Sequence, residues 1–262
     1  MMSHAQLKFT ARGYLRAARP APLFVGIVAM ALMELINYLS LKITNYSELL
    51  QATQTYSQSG DAQAYLAAIS RYSPSFGGTI MDLLLQVMGI MITTGITIFV
   101  IRTVRDGKGS YGNLLDGFPI LLRIIGLYLV QSVFIFLWSL LFVIPGIVAS
   151  YRYSQAIYIL LDHPEMGIMD CIRASKHMMN GNKWDYFVLE LSFLGWSLLL
   201  TALSMLLPLP LLLLECILIP LSAFIRMYME FTFFLYYEGL HGVDYDSRVP
   251  GIEEGQPTDG AF

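Results

Sequence analysis

The chain of 262 residues is 13% charged and 56% hydrophobic, with a formal net charge of −3 and a mean hydropathy of +0.59. Soluble domains average about 25% charged residues, so this composition excludes an ordinary water-soluble globule. The near-neutral balance, without a Lys/Arg cluster interleaved with aromatics, likewise gives no electrostatic basis for nucleic-acid binding.

The apolar excess falls in long runs rather than at strand spacing, which predicts an all-α, polytopic membrane protein. Residues 1–20 are a basic N-terminal segment carrying Lys8, Arg12, Arg16 and Arg19. The apolar stretch that follows lacks a small-residue cleavage site and reads as an uncleaved first span. Six spans are predicted within a membrane domain over 21–239, at 21–41, 78–101, 119–144, 147–161, 186–207 and 211–237. The stretch 147–161 would rise only about 22 Å as a helix, against a hydrocarbon core of about 30 Å. Together with the preceding run it suits two passes joined by a tight turn. Pro145-Gly146 is predicted to make that turn, because proline cannot continue a helix and glycine accepts positive φ.

The connections are read in the same order. The loop 42–77, rich in Ser, Thr, Gln, Tyr and Ala, is expected to carry short interfacial helices at Ser47–Thr53 and Ala62–Tyr72. An amphipathic helix over 163–180 is expected between spans four and five, with Asp162 as its cap, Pro164 in its first turn and Gly181 closing it. Met166, Met169 and Met179 alternate there with Arg173, Lys176 and His177. Such a helix either lies at the lipid boundary or packs its Met face onto the span ends. The acidic tail 240–262 reads as disordered. Cys171 and Cys216 are separated by a whole apolar segment, so no disulfide is expected between them.

Lys and Arg in short flanking loops favour the cytoplasm. With the N-terminus inside, eleven of the 16 Lys and Arg fall on cytoplasmic segments, and only Lys42 and Arg71 fall outside. Both termini are therefore expected to be cytoplasmic.

The run Ile144-Pro145-Gly146, Tyr151, Tyr153, Tyr158, Asp162, Pro164-Glu165, Ser175, Met178-Met179, Gly181, Lys183-Trp184, Phe187, Leu191-Ser192-Phe193 and Gly195-Trp196, with Leu115-Asp116-Gly117-Phe118 upstream, resembles a bacterial integral-membrane family known as domain of unknown function 975. The resemblance covers roughly 100–240. It implies a six-span bacterial inner-membrane protein and brings no activity, substrate or catalytic residue with it.

Ionisable residues at bilayer depth cost about 2.5–3.5 kcal/mol each on insertion scales, so they are the functional leads. Glu34, Asp82, Arg152 and Glu215 are predicted in the outer third of their spans, where they can form a polar cluster that takes protons, cations or an amine. The competing reading is that Arg152 locks span four to span one or two while the acids reach water. Arg123, Glu190, Arg226 and Glu230 are predicted in the inner half, as an ion-pair network or as simple helix-to-helix pairing.

No metal-ligand spacing, phosphate-binding glycine loop or nucleophile elbow occurs in the sequence, so no cofactor, metal or catalytic residue is expected. Two functional readings remain. One is a non-enzymatic protein that binds or moves a small solute or lipid. The other is an envelope scaffold or interaction protein, acting through its amphipathic helix and basic loops on anionic lipid or on a partner.

Overall fold

The computed structural model describes residues 3–43, 51, 53–56, 60, 62–71, 76–206 and 211–240. Among them the chain is helical, without a strand. The α-helices bounded among the described residues are α1 His4–Ala17, α2 Pro22–Ile43, α3 Ala62–Arg71, α4 Phe76–Asp106, α5 Leu121–Leu141, α6 Val143–Tyr153, α7 Ala156–Asp162, α8 Ile168–Met178, α9 Lys183–Leu206 and α10 Leu211–Leu240. Two 3-10 turns, Tyr111–Leu115 and Phe118–Ile120, connect α4 to α5. Among the described residues, five segments are long and apolar enough to cross a membrane: Pro22–Ile43, Phe76–Asp106, Tyr111–Leu141, Lys183–Leu203 and Cys216–Leu240. Most of the predicted stretch Ser47–Thr53 and the tail beyond Leu240 lie outside the described residues.

The basic N-terminus forms a helix that the sequence reading did not assign. Ser3 and Gln6 cap it reciprocally, with Gln6 N donating to Ser3 Oγ at 3.3 Å and Ser3 N donating to Gln6 Oε1 at 2.9 Å. Its buried face, Leu7, Thr10, Ala11 and Tyr14, lies on α10, where Tyr14 stacks on Phe231 with ring centroids 5.9 Å apart.

The turn between α5 and α6 is not at Pro145-Gly146. It is at Phe142, the one extended residue between the two helices, with φ −160° and ψ 152°. Pro145 instead sits in the first turn of α6, where its missing N–H costs no hydrogen bond. Gly146 is a point of close approach between α5 and α6. A Cβ built on it would lie 2.9 Å from Ser139 Cβ and 3.0 Å from Ser139 Cα, so the residue is needed for its missing side chain rather than for backbone freedom.

A second correction concerns Asp162. It ends α7 instead of capping the next helix, which starts at Ile168 behind Gly167 as N-cap, leaving Pro164 in the connecting loop. Gly181, at φ 87°, does follow α8 in the left-handed turn that leads to α9.

The buried core collects where α4 and α10 end and α9 begins, around Phe99, Val100, Tyr158, Leu189, Phe193, Phe231, Phe234 and Tyr237. Toward the other ends of α5, α6 and α9, side chains such as Leu129, Phe136, Leu140, Val143, Ile144, Leu198 and Leu199 are exposed. An exposed apolar surface of that kind needs no protein cover in lipid, which is as apolar as leucine.

Candidate functional site

The most informative local feature is a break in the fourth apolar stretch. α6 stops at Tyr153 and α7 starts at Ala156, which leaves carbonyls at the end of α6 without intrahelical donors. Two neighbouring helices supply the donors. Ser175 Oγ on α8 donates to the Arg152 carbonyl at 2.9 Å and accepts from Gln155 N at 3.2 Å. Gln131 Nε2 on α5 donates to the Tyr153 carbonyl at 3.0 Å. Broken helices survive in a water-poor bundle only when freed backbone groups are satisfied in this way. The two sides of α8 suit it to this position, since Cys171, Ile172 and Ser175 are buried along one side while Asp170, Arg173, Lys176 and His177 are exposed.

Beside the break lies a cleft of about 240 Å³ between α6, α9 and α10, lined by Tyr151, Phe187, Glu190, Leu191, Phe193, Leu194, Ser197 and Met229. The Tyr151 phenol lies close enough to the Glu190 carboxylate to interact with it. The Tyr151 ring is held edge-on by Phe187 at 5.7 Å and Tyr186 at 6.1 Å between centroids. Phe193 forms the buried wall and Leu191 and Leu194 the exposed rim. A carboxylate beside a single phenol keeps free lone pairs, so this cleft pairs an acceptor for a cation, amine or hydroxyl with apolar walls.

The other charges predicted within spans are placed apart from it. Arg226 Nη2 pairs with Glu230 Oε1 at 3.0 Å along α10, and Tyr158 Oη donates to Glu230 Oε2 at 3.5 Å. Arg123 is exposed on α5 and forms no ion pair among the described residues, so Glu190 and Arg123 do not extend the Arg226–Glu230 pair into a network of ion pairs there. Asp82 accepts a hydrogen bond from Ser40, joining α4 to α2. Glu34 is exposed. Arg152 makes no ion pair with Glu34 or Asp82 among the described residues, and its Nε is buried without a hydrogen-bond partner. The side chain of Glu215 lies outside the described residues. No group of three His, Cys, Asp or Glu suited to a metal ion occurs among the described residues.

One charged cluster was not anticipated from sequence. Arg105, at the end of α4, donates to both Asp162 oxygens at 2.7 and 2.9 Å and through Nε to Glu238 Oε1 at 2.7 Å. Tyr237 Oη donates to Asp162 Oδ2 at 2.8 Å, and the guanidinium lies 5.3 Å from the Phe234 ring centroid. The side chain of Glu238 is only 4% exposed and that of Asp162 12%. Three helix ends, those of α4, α7 and α10, are thereby tied at one point. The only sequence signal was a set of charges just past apolar runs, and such positions are usually solvated.

Cys171 and Cys216 are free thiols. Burial, followed by the Asp170 carboxylate, pushes the Cys171 thiol up, so little thiolate is present at neutral pH. In a Cys216→Ser chain, maleimide labelling of Cys171 is expected to be at least tenfold slower in the folded protein than after denaturation. Equal rates would show that α8 does not stay docked.

No curated protein and no solved structure matches the chain. Residues 140–244, which hold the helix break, Ser175, Glu190, the Arg226–Glu230 pair and Glu238, match the family model described as "Protein of unknown function (DUF975)".

Proposed function

We propose that this chain is a six-span protein of a bacterial cytoplasmic membrane, with both termini cytoplasmic, that binds a small solute or lipid without catalysis in the cleft between α6, α9 and α10. The observation carrying this reading is the Glu190 carboxylate, which faces an open apolar cleft beside the Tyr151 phenol. A carboxylate about seven residues inside an apolar helix is costly to keep in lipid, and a recurrent cationic or hydroxyl-bearing occupant would offset that cost. Counting α6 and α7 together as the fourth span is supported by length, since Val143–Asp162 rises roughly 30 Å. The positive-inside asymmetry then puts α8 at the inner membrane face between spans four and five. A helix broken beside a cleft is also the kind of element from which membrane proteins build solute sites near the bilayer interior.

Native mass spectrometry of the detergent-purified chain tests the reading. The wild-type protein is expected to retain a lipid or solute adduct. Glu190→Gln should lower its occupancy about tenfold, equivalent to ~1.4 kcal/mol, without shifting the thermal midpoint. Leu194→Trp, which fills the cleft from its rim, should do the same. Identical adducts in the wild type and both variants would overturn the proposal.

A further inference from the structure

We infer that the exposed face of α1 is a binding surface for anionic phospholipid, separate from the cleft and independent of what the cleft holds. The first acidic residue of the chain is Glu34; before it stand Lys8, Arg12, Arg16 and Arg19. The helix sorts these residues by face. Leu7, Thr10, Ala11 and Tyr14 are buried, while Ala5, Phe9, Arg12 and Arg16 are all exposed. Positions 5, 9, 12 and 16 follow the helical repeat, so the exposed residues form one continuous stripe.

Contacts on the two sides differ accordingly. Lys8 is used internally, its Nζ donating to Ser192 Oγ at 2.6 Å and lying 4.8 Å from the Phe193 ring centroid. Arg12 is anchored through Nε to Tyr228 Oη at 3.1 Å and lies over the Tyr228 ring, yet the residue remains exposed. Arg16 and Arg19 are exposed and form no ion pair among the described residues. On the other basic helix face, that of α8, Arg173 is paired with Asp170 at 3.0 Å, while Lys176 is exposed and forms no ion pair among the described residues.

The same stripe carries Phe9, 64% exposed, and α2 begins at Pro22 with Phe24, 60% exposed. Because α2 is long and apolar enough to cross the membrane, the end of α1 is held within a few residues of the bilayer surface. A face that presents an aromatic ring beside unpaired guanidiniums fits neither bulk water nor hydrocarbon. It fits the headgroup layer, with the ring among acyl chains and the guanidiniums forked onto phosphate oxygens. An acidic protein partner would satisfy the arginines but would give Phe9 and Phe24 no reason to be exposed at the start of a span.

The test uses the full chain in detergent, with phosphatidylglycerol or phosphatidylcholine added at equal concentration and retained lipid read by native mass spectrometry. Wild-type protein should retain phosphatidylglycerol preferentially. Arg16→Gln/Arg19→Gln should lower that retention about thirtyfold, at about 1 kcal/mol per cation, while Arg16→Lys/Arg19→Lys keeps most of it. Equal retention of the two lipids by wild-type protein would overturn the inference without recourse to any variant. So would unchanged retention in the Gln variant, or loss of a co-purified acidic protein with no change in lipid.

Discussion

Replacing Arg105 with glutamine is expected to destabilise the protein by about 2–4 kcal/mol, below the upper range for breaking a buried ion pair because the Arg105 side chain is one-third exposed. The loss arises less from the attraction removed than from what remains. Glu238, almost wholly buried, and Asp162, mostly buried, would share a site with no cation, and Tyr237 satisfies only one oxygen. Glutamine keeps a donor and most of the volume, so packing against Phe234 is largely retained and the change isolates the charge. Thermal unfolding in detergent measures it. A double-mutant cycle with Glu238→Gln should return a coupling of about 1–3 kcal/mol. A cycle that closes at zero, or an Arg105→Gln midpoint equal to wild type, would show that the three helix ends are held together by packing alone.

The second large effect is expected at Gly146. Changing it to alanine places a methyl against the backbone and Cβ of Ser139, which forces α5 and α6 apart at their tight connection and should cost about 1–3 kcal/mol or more. The same substitution at an ordinary exposed helix position would stabilise by about 1 kcal/mol, so the sign of the effect is itself informative. Ser139→Gly should restore part of the loss, because it removes the Cβ and hydroxyl that the new methyl meets. If Gly146 were needed for turn conformation, Ser139→Gly would not restore anything. Comparing midpoints for Gly146→Ala with and without Ser139→Gly separates the two roles.

Several elements were legible for a simple reason. α2, α4, α9 and α10 sit on long, mostly apolar runs, and a run of that length has one way to satisfy its backbone in lipid, which is as a helix. Ala62–Arg71 follows the period of an amphipathic helix, and its predicted limits differ by a single residue. In α1 the cations mask a helix signal that lies in Ser3, Gln6 and the spacing of Leu7, Ala11 and Tyr14. The start of α8 was misplaced because a free aspartate before a proline looks like a cap. In the fold the Asp162 carboxylate is turned toward Arg105 and Tyr237 rather than toward the N–H groups that open the next helix. The break between α6 and α7 left no local mark, because Ser154 and Gln155 are ordinary helix residues and the donors that make a break tolerable come from Gln131 and Ser175.

The charges show the division most clearly. Arg226 and Glu230 were legible as a pair, since one turn of α10 brings them together whatever the rest of the chain does. Glu190 was legible as an intramembrane acid, but its partner is Tyr151, reached across two helices rather than along one. By itself the sequence determined that the protein is helical, which stretches are long and apolar enough to cross a membrane, and how few charges it has to distribute. Those properties follow from composition within a window of one helix. Only the tertiary structure decided that Arg105 meets a glutamate 133 positions away, that a cleft opens at Glu190, and that α1 turns its arginines outward. Each depends on the rotation and axial offset of one helix against another, which no single helix encodes.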